Sequence, residues 1–109
     1  MPMPDLKFGD VVLLKFPFTD GKNFKKRPAL ILRNTNDGDI VVCRITGKLY
    51  NSPFDLNLKN WNQYGLRLPS IIRIHKIVTL ESNMLEQKFG TLSASDKSKV
   101  KKIVQQLPG

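Results

Sequence analysis

The sequence predicts a mainly β domain that is closed by one C-terminal helix. Short runs rich in Val, Leu and Ile alternate with turn signals over most of the chain, which is typical of an antiparallel sheet. The final segment changes to a helical spacing of apolar residues. The chain has 109 residues, so we expect a single domain over residues 1–109 with a small, strongly bent sheet.

The first three predicted strands follow one another as an antiparallel meander. Asp20-Gly21 and the polar segment 34–39 supply the turns between them. Pro17 lacks an amide proton and is expected to end the first strand, whereas Pro28 suits the first position of the second. The strands themselves are predicted at 10–16, 28–34 and 40–46.

A fourth strong strand signal lies in the second half of the chain. Segment 71–80 is dominated by β-branched Ile, Val and Thr, which favour strands. Segment 47–58 is mixed, and Pro53 restricts any strand there to an edge of the sheet.

Short helical turns are expected in two connecting segments. Segment 59–70 is expected to form a helical turn and a loop, broken at Gly65 and Pro69. Segment 83–89 is expected to form one or two helical turns that end at Gly90.

The C-terminal helix has the clearest pattern. Ser93 and Asp96 have the spacing of a capping box, with an acidic residue three positions after the cap. Apolar residues then recur at helical spacing, and the lysines between them are expected to form a solvated face. The apolar stripe consists of Val100, Ile103, Val104 and Leu107.

The composition favours a polyanionic partner. The formal charge is +9, from 18 Lys and Arg against 9 Asp and Glu, which suits nucleic acid, an acidic protein or an anionic surface; a solubilising surface is the alternative. The single cysteine, Cys43, excludes an internal disulfide and is expected to be a core residue. Without a signal segment or a long apolar run, we expect a cytoplasmic protein that does not contact membranes.

The sequence lacks the residues that several kinds of functional site require. With one His, one Cys and scattered carboxylates, we expect no metal site and no cofactor. The chain has no glycine-rich phosphate loop. His75 is not accompanied by a nucleophile turn of the kind that serine hydrolases use.

Three polar features remain as candidate functional groups. Arg27 follows a cluster of lysines, and its guanidinium matches the geometry of phosphate oxygens. Arg44 and Thr46 share one face of the third strand by alternation, with Thr46 at the strand end. Arg73 and His75 share one face of the later strand in the same way, and an imidazole changes charge near neutrality.

Together these groups suit cleavage of RNA without a metal ion. In that reaction the ribose 2′-OH is the nucleophile, so the protein needs only acid-base help and charge stabilisation. Each feature also has a structural alternative: a loop charge for Arg27, an ordinary strand residue for Thr46, and a histidine bonded to backbone for His75.

Three blocks of the sequence resemble the PemK/MazF family of toxin endoribonucleases. "GDVVLLKFPFTDGKNFKKRPALIL" resembles its N-terminal strand, Pro-Phe step, basic loop and Arg-Pro-Ala. "WNQYGLRLPSIIRIHKIVTLE" resembles its later Gly-Leu, Pro-Ser and apolar-Arg strand. "FGTLSASDKSKVKKIVQQL" resembles its closing Gly-x-Leu-Ser and terminal helix. The similarity runs from Gly9 to about Leu107.

The resemblance implies a small SH3-like barrel, of the kind shared by PemK, MazF and CcdB, that pairs into a homodimer. It implies metal-independent cleavage of single-stranded RNA, such as messenger RNA, to a 2′,3′-cyclic phosphate and a 5′-OH. It also implies an antitoxin whose acidic segment lies over the RNA groove. Through the toxin–antitoxin complex, it implies an indirect association with DNA.

The family's motif residues match three positions of this chain, and a fourth position departs from the family's pattern. The Arg of the Arg-Pro step is Arg27, the hydroxyl residue ending the third strand is Thr46, and the Arg of the later strand is Arg73. We expect the two arginines to stabilise charge on phosphorus and Thr46 to bind a non-bridging oxygen. Where some members carry an Asp used in proton transfer, this chain has His75, which we expect to act as a proton shuttle.

The remaining basic residues are expected to bind RNA. Lys22, Lys25 and Lys26 are expected to lie in a mobile flap over the site, with Arg27 at its base. Residue 44 is often small in relatives, so Arg44 is expected to alter the groove or the RNA sequence preferred. The other expected contacts are Lys48, Ser70 and Lys76.

Three other functions fit the same sequence. One is a binding toxin of the same barrel fold that acts on a protein such as DNA gyrase, as CcdB does. Another is a nucleic-acid-binding module without activity. The third is an inactive relic in which the change to His75 has abolished cleavage while antitoxin binding persists.

Overall fold

The computed structural model describes residues 5–17 and 22–107. It is mainly β, as predicted, with six strands in one sheet and one C-terminal α-helix among the described residues. The predicted Asp20-Gly21 turn lies outside them. The strands are β1 (Asp10–Pro17), β2 (Phe24–Asn34), β3 (Asp39–Thr46), β4 (Asp55–Leu58), β5 (Ser70–Glu81) and β6 (Leu85–Thr91), and the helix is α1 (Ala94–Gln106).

The sheet is antiparallel throughout, with the strand order β4-β5-β3-β2-β1-β6. The predicted meander of β1, β2 and β3 is confirmed, because these strands are neighbours in that order. Strand β4 is an edge strand that follows Pro53, as predicted. Among the described residues the edge strands β4 and β6 do not pair with each other, so the sheet is bent but not closed.

Each side of the bent sheet has its own apolar cluster. The cluster on the α1 side includes Val11, Leu30, Ile45, Ile72 and Val100. The other cluster is built on Val12, Leu14, Ala29, Ile31, Ile40 and Val42. Cys43 is fully buried in the first cluster, and its burial raises the pKa of the thiol to about 12, so the prediction of a core cysteine is confirmed.

The C-terminal helix forms where the capping pattern places it. The Ser93 side chain accepts a hydrogen bond of 3.2 Å from the Asp96 amide. The Tyr64 hydroxyl donates to the Asp96 carboxylate at 2.7 Å, which ties the helix to the short 3-10 helix Trp61–Tyr64. That 3-10 helix ends at Gly65, as predicted, with φ of +74°. In the stripe, Val100 is buried, whereas Val104 lies at its exposed margin.

The helical turns predicted for 83–89 are wrong over most of that segment. Only Ser82–Met84 forms a 3-10 helix, and Leu85 begins strand β6. This strand is held on β1 because Thr91 donates to Asp10 at 2.7 Å and the Lys88 ammonium lies 3.2 Å from the same carboxylate. Tertiary pairing therefore overrides the local preference.

The predicted start of the second strand is also wrong, because β2 begins at Phe24. Lys25, Lys26 and Arg27 pair with β1, so they are strand residues and not part of a loop or flap. Pairing with β3 begins only at Ala29. Pro28 therefore stands where β2 is still an edge, which is where a strand tolerates proline.

Within the described ranges, no helix is long and apolar enough to cross a membrane.

Candidate functional site

A cleft of about 780 Å³ opens where β2 and β3 leave the core. Its walls include Arg27 from β2, Thr46 from the end of β3 and Ser70 from the start of β5. Three residues that the sequence singled out separately are therefore brought to one cavity. The other polar and charged side chains around it are Lys25, Lys26, Arg67 and Gln87.

Arg27 is held at this cleft by strand pairing. Its backbone lies opposite Leu14, a fully buried residue of β1, which fixes the position of the strand. The Arg27 side chain is only partly exposed. No carboxylate of the described residues lies within ion-pair distance of it. The guanidinium thus has all of its donors available for an anion.

Thr46 presents its hydroxyl at the rim of the sheet. The Lys48 amide donates to the Thr46 hydroxyl oxygen at 3.2 Å, which leaves the hydroxyl proton free to be donated. Directly after it, Gly47 packs closely against Leu68, because a Cβ at residue 47 would overlap a methyl group of the Leu68 side chain. Glycine at 47 therefore allows the chain to turn under this wall of the cleft.

The cleft carries positive charge and no acid among its lining residues. We call the set Lys25, Lys26, Arg27, Arg67 and Thr46 the cationic cleft. Arg67 was not predicted from the sequence, although its place in the Gly-Leu-Arg step shortly before Pro69 is a signal that indicates it. Ser70 is buried, and its hydroxyl donates to the Leu68 carbonyl at 2.8 Å, so it supports the wall.

One carboxylate lies just outside the cationic cleft. Glu86 on β6 accepts ion pairs from Lys26 at 3.0 Å and from Lys15 at 3.2 Å. The hydrogen bond from Lys26, followed by that from Lys15, lowers the pKa of Glu86 below its ordinary value. Part of the charge that Lys26 brings to the cleft is therefore already balanced.

Arg73 and His75 are not among the residues lining the cleft. Arg73 donates from Nε to Asp55 at 2.9 Å, and its guanidinium stacks on the Tyr50 ring at 3.5 Å. The Arg73 Nη2 atom lies 3.4 Å from His75 Nε2. We call Tyr50, Asp55, Arg73 and His75 the Arg73 cluster. Asp55 and Tyr50 were not singled out from the sequence.

Asp55 is the anchor of this cluster. Its side chain is 3% exposed, and it also accepts a hydrogen bond of 3.0 Å from the Ser52 amide. Burial acts to raise the pKa of Asp55, but the hydrogen bonds from Arg73 and Ser52 outweigh it and hold the pKa below its ordinary value. The carboxylate is therefore ionised, and each of its two oxygens accepts a hydrogen bond.

Arg44 lies beside the Arg73 cluster, directly opposite Arg73 on the neighbouring strand. Arg44 and Thr46 are both half-buried and alternate with buried Ile45, so they share one face as predicted. His75 lies in a bulge, because residues 74–76 of β5 have no partner on β3. Its ring nevertheless turns back to Arg73, so the prediction that these two side chains meet is confirmed.

The remaining predicted RNA-binding lysines lie outside the cleft. Lys48 is exposed, with its ammonium 5.8 Å from the Tyr50 ring centre. Lys76 is exposed in the bulge of β5, and Lys22 is exposed shortly before β2.

Comparison with known proteins identifies a family. Residues 7–107 match the model of the family described as PemK-like, MazF-like toxin of type II toxin-antitoxin system. No curated protein matches the chain.

Solved structures share the fold at low sequence identity. A mycobacterial endoribonuclease in complex with its cognate antitoxin matches with a TM-score of 0.76 and 18% identity, covering 96% of this chain and 99% of that one. MazF of a MazE–MazF complex from Deinococcus radiodurans matches with a TM-score of 0.76 and 21% identity, covering 93% of this chain and 94% of that one. The Mycobacterium tuberculosis toxin MazF-mt6 matches with a TM-score of 0.70 and 19% identity, covering 87% of this chain and 93% of that one. The predicted fold class is confirmed.

Proposed function

Because the chain belongs to the PemK-like, MazF-like toxin family of type II toxin–antitoxin systems, we propose that it is an endoribonuclease that cleaves single-stranded RNA without a metal ion. The observation that carries this proposal is the cationic cleft, in which the unpaired Arg27 guanidinium and the Thr46 hydroxyl line one cavity. A mycobacterial protein of the same fold is an endoribonuclease.

In the proposed reaction, the ribose 2′-oxygen attacks phosphorus and the bond from phosphorus to the 5′-oxygen breaks. The products are a 2′,3′-cyclic phosphate and a 5′-OH. Arg27 stabilises the charge that develops on the phosphoryl oxygens, and Thr46 donates its hydroxyl proton to a non-bridging oxygen. Lys25, Lys26 and Arg67 attract the strand by charge.

The 2′-OH must lose a proton and the leaving 5′-oxygen must gain one. His75 stays the sequence-based prediction for this transfer, with Arg73 as a second charge stabiliser. Their side chains lie with Asp55 and Tyr50, so this role requires RNA to reach from the cleft to the Arg73 cluster. Removal of the His75 imidazole tests it directly, because loss of a proton shuttle lowers the rate of cleavage measured at saturating RNA, where a change in affinity no longer matters.

The proposed setting is that of a type II toxin in the cytoplasm, acting on messenger RNA. Its partners are an acidic antitoxin, a second copy of the chain and, through the antitoxin complex, DNA. A related mycobacterial endoribonuclease is found in complex with its cognate antitoxin. Self-association is supported by exposed apolar residues on β5, since Ile77 is 44% exposed and Val78 40%.

The decisive experiment is cleavage of a mixed-sequence single-stranded RNA by the purified protein in excess chelator. We expect cutting that survives chelator, spares the 2′-deoxy strand, nearly disappears in Arg27→Ala and is slower in Thr46→Ala. Arg33→Ala is the matched control, because Arg33 is exposed near the far end of β2. Intact RNA under all conditions would contradict the proposal and favour a binding toxin or an inactive relic.

A further inference from the structure

Two buried hydrogen-bond donors beside Arg73 lack acceptors. The Arg44 Nε atom is buried and has no partner among the described residues, and the same holds for His75 Nδ1. Buried polar groups are almost always paired, and leaving one unpaired costs free energy. Two such atoms in one place therefore need an explanation.

The His75 atom is a donor because of its neighbour. The Arg73 guanidinium donates and has no acceptor, so the His75 Nε2 atom that faces it at 3.4 Å must accept. The ring proton is then on Nδ1. Both unpaired atoms are thus N–H groups of residues next to Arg73: Arg44 stands opposite it on β3, and the His75 ring faces its guanidinium from the bulge of β5.

The local charge points to the kind of acceptor that is needed. Arg44 and Arg73 lie directly opposite each other, and like charges in that arrangement repel. Asp55 is the carboxylate bound to Arg73, and its two oxygens accept from Arg73 and from the Ser52 amide. Among the described residues, no carboxylate forms an ion pair with Arg44. An added anion with hydrogen-bond acceptors would satisfy the two donors and the excess positive charge.

We propose that Arg44 and His75 form a second phosphate subsite, which holds the phosphate next to the one bound by Arg27 and Thr46. Its ligand class, single-stranded RNA, rests on the proposed function. Arg44 and Thr46 lie on one face two residues apart, about 7 Å along the strand. That spacing is comparable to the distance between successive phosphates of a nucleic-acid strand. Arg73, held by Asp55 and Tyr50, then positions this second subsite.

The test separates the subsite from catalysis by measuring binding alone. The probe is a short single-stranded 2′-deoxy oligonucleotide, which the 2′-OH mechanism does not cleave, titrated by fluorescence anisotropy at several salt concentrations. We expect Arg44→Gln to bind about ten- to a hundredfold more weakly. The slope of log affinity against log salt should fall by about 0.7, the value for one lost phosphate contact on a single strand.

Two more variants make the result specific. Arg33→Gln removes the same charge from an exposed position of β2 and should retain affinity. His75→Phe keeps a ring against Phe54, whose ring centre lies 5.5 Å from that of His75, but removes Nδ1–H, so it should weaken binding less than Arg44→Gln.

The midpoint of thermal unfolding provides a second readout, because a structural role of Arg44 predicts a change in the opposite direction. Because Arg44 is unpaired and faces Arg73 in the free protein, Arg44→Gln should raise the midpoint of thermal unfolding. If Arg44 were a structural residue, that midpoint would fall.

Equal affinity and equal salt slope in Arg44→Gln and wild type would overturn the subsite. A polyglutamate peptide is titrated in the same way as a second probe. If Arg44→Gln lost affinity for this peptide alone and not for the oligonucleotide, the subsite would also be overturned, because the donors would then bind an acidic protein segment. Failure of the proposed function is a separate result, since it appears as uncut RNA while this binding assay still reports on Arg44.

Discussion

Arg27 and Arg73 are arginines of the same sheet with opposite surroundings. Arg73 is 13% exposed, donates to buried Asp55, stacks on Tyr50 and contacts His75. Arg27 lines an open cleft and has no ion-pair partner among the described residues. The first guanidinium is held in place by the protein, and the second has its donors available for a ligand.

This difference indicates different uses for the same residue type. A guanidinium that is already paired contributes to stability and positioning, and a ligand would have to compete with its partners. An unpaired guanidinium fixed by a strand binds an anion without first breaking a contact. The following changes test whether Arg27 and Arg73 are divided in this way.

The largest effect is expected for Arg27→Gln. Loss of one preorganised donor to a charged transition state should lower the cleavage rate about 10²- to 10³-fold. Stability should change by no more than about 0.5 kcal/mol, because no partner of Arg27 is left unpaired. Single-turnover cleavage of RNA and urea unfolding measure the two quantities. Activity close to that of wild type in a folded variant would remove Arg27 from the mechanism.

Asp55→Asn is expected to have the next largest effect, on stability. The change breaks a mostly buried pair and should cost about 2 kcal/mol at pH 7. Burial acts to raise the pKa of Asp55 in the folded state, but the hydrogen bonds from Arg73 and Ser52 outweigh it, so the pKa is lowered overall. Its contribution is therefore present above the unfolded pKa of about 4 and is lost as pH falls through the folded value.

Urea unfolding at pH 7 and pH 3 checks this dependence. The difference in unfolding free energy between wild type and Asp55→Asn should shrink at the lower pH. Asp39→Asn is the matched control, since Asp39 lies at the other end of the β3–β5 pair, opposite Glu81. A difference that stays constant with pH would mean that the ion pair with Arg73 does not supply the stability.

Thr46→Val is expected to have a smaller effect, on cleavage. Valine keeps the shape of the side chain and removes the hydroxyl, so one hydrogen bond to the phosphate is lost and the rate should fall about tenfold. Thr46→Ser retains the hydroxyl and should stay close to wild type. Equal rates for the valine and serine variants would show that the hydroxyl at position 46 is not used.

Much of this fold could be predicted from the sequence because its signals are local. The strand pattern of 71–80 and the cap at Ser93 led to β5 and α1 at nearly their observed bounds. Strand β6 was missed because its pairing with β1 has two register shifts, near Val11 and near Leu13. These irregularities break the alternation of buried and exposed residues that identifies a strand.

The site was predictable residue by residue but not in its grouping. Arg27 and Thr46 do line one cleft, whereas Arg73 and His75 form a cluster with Asp55. Long-range pairing of β4 with β5 brings Asp55 opposite Arg73, and no local pattern reveals that contact. In the same way, the start of β2 at Phe24 depends on β1 and not on the lysine-rich segment itself.

The smallest effect is expected for Glu86→Gln, which changes the charge of the cationic cleft from outside. Hydrogen bonds from Lys26 and then Lys15 lower the pKa of Glu86, so it is a fixed negative charge at neutral pH. Its removal frees both lysines and should raise RNA affinity about two- to threefold at low salt, with the gain fading as salt rises. Glu81→Gln removes an equal charge at the end of β5, opposite Asp39, and should leave affinity unchanged. Equal gains in both variants would indicate a general effect of net charge, whereas a gain in Glu86→Gln alone would show that Lys26 is held back from RNA by its ion pair.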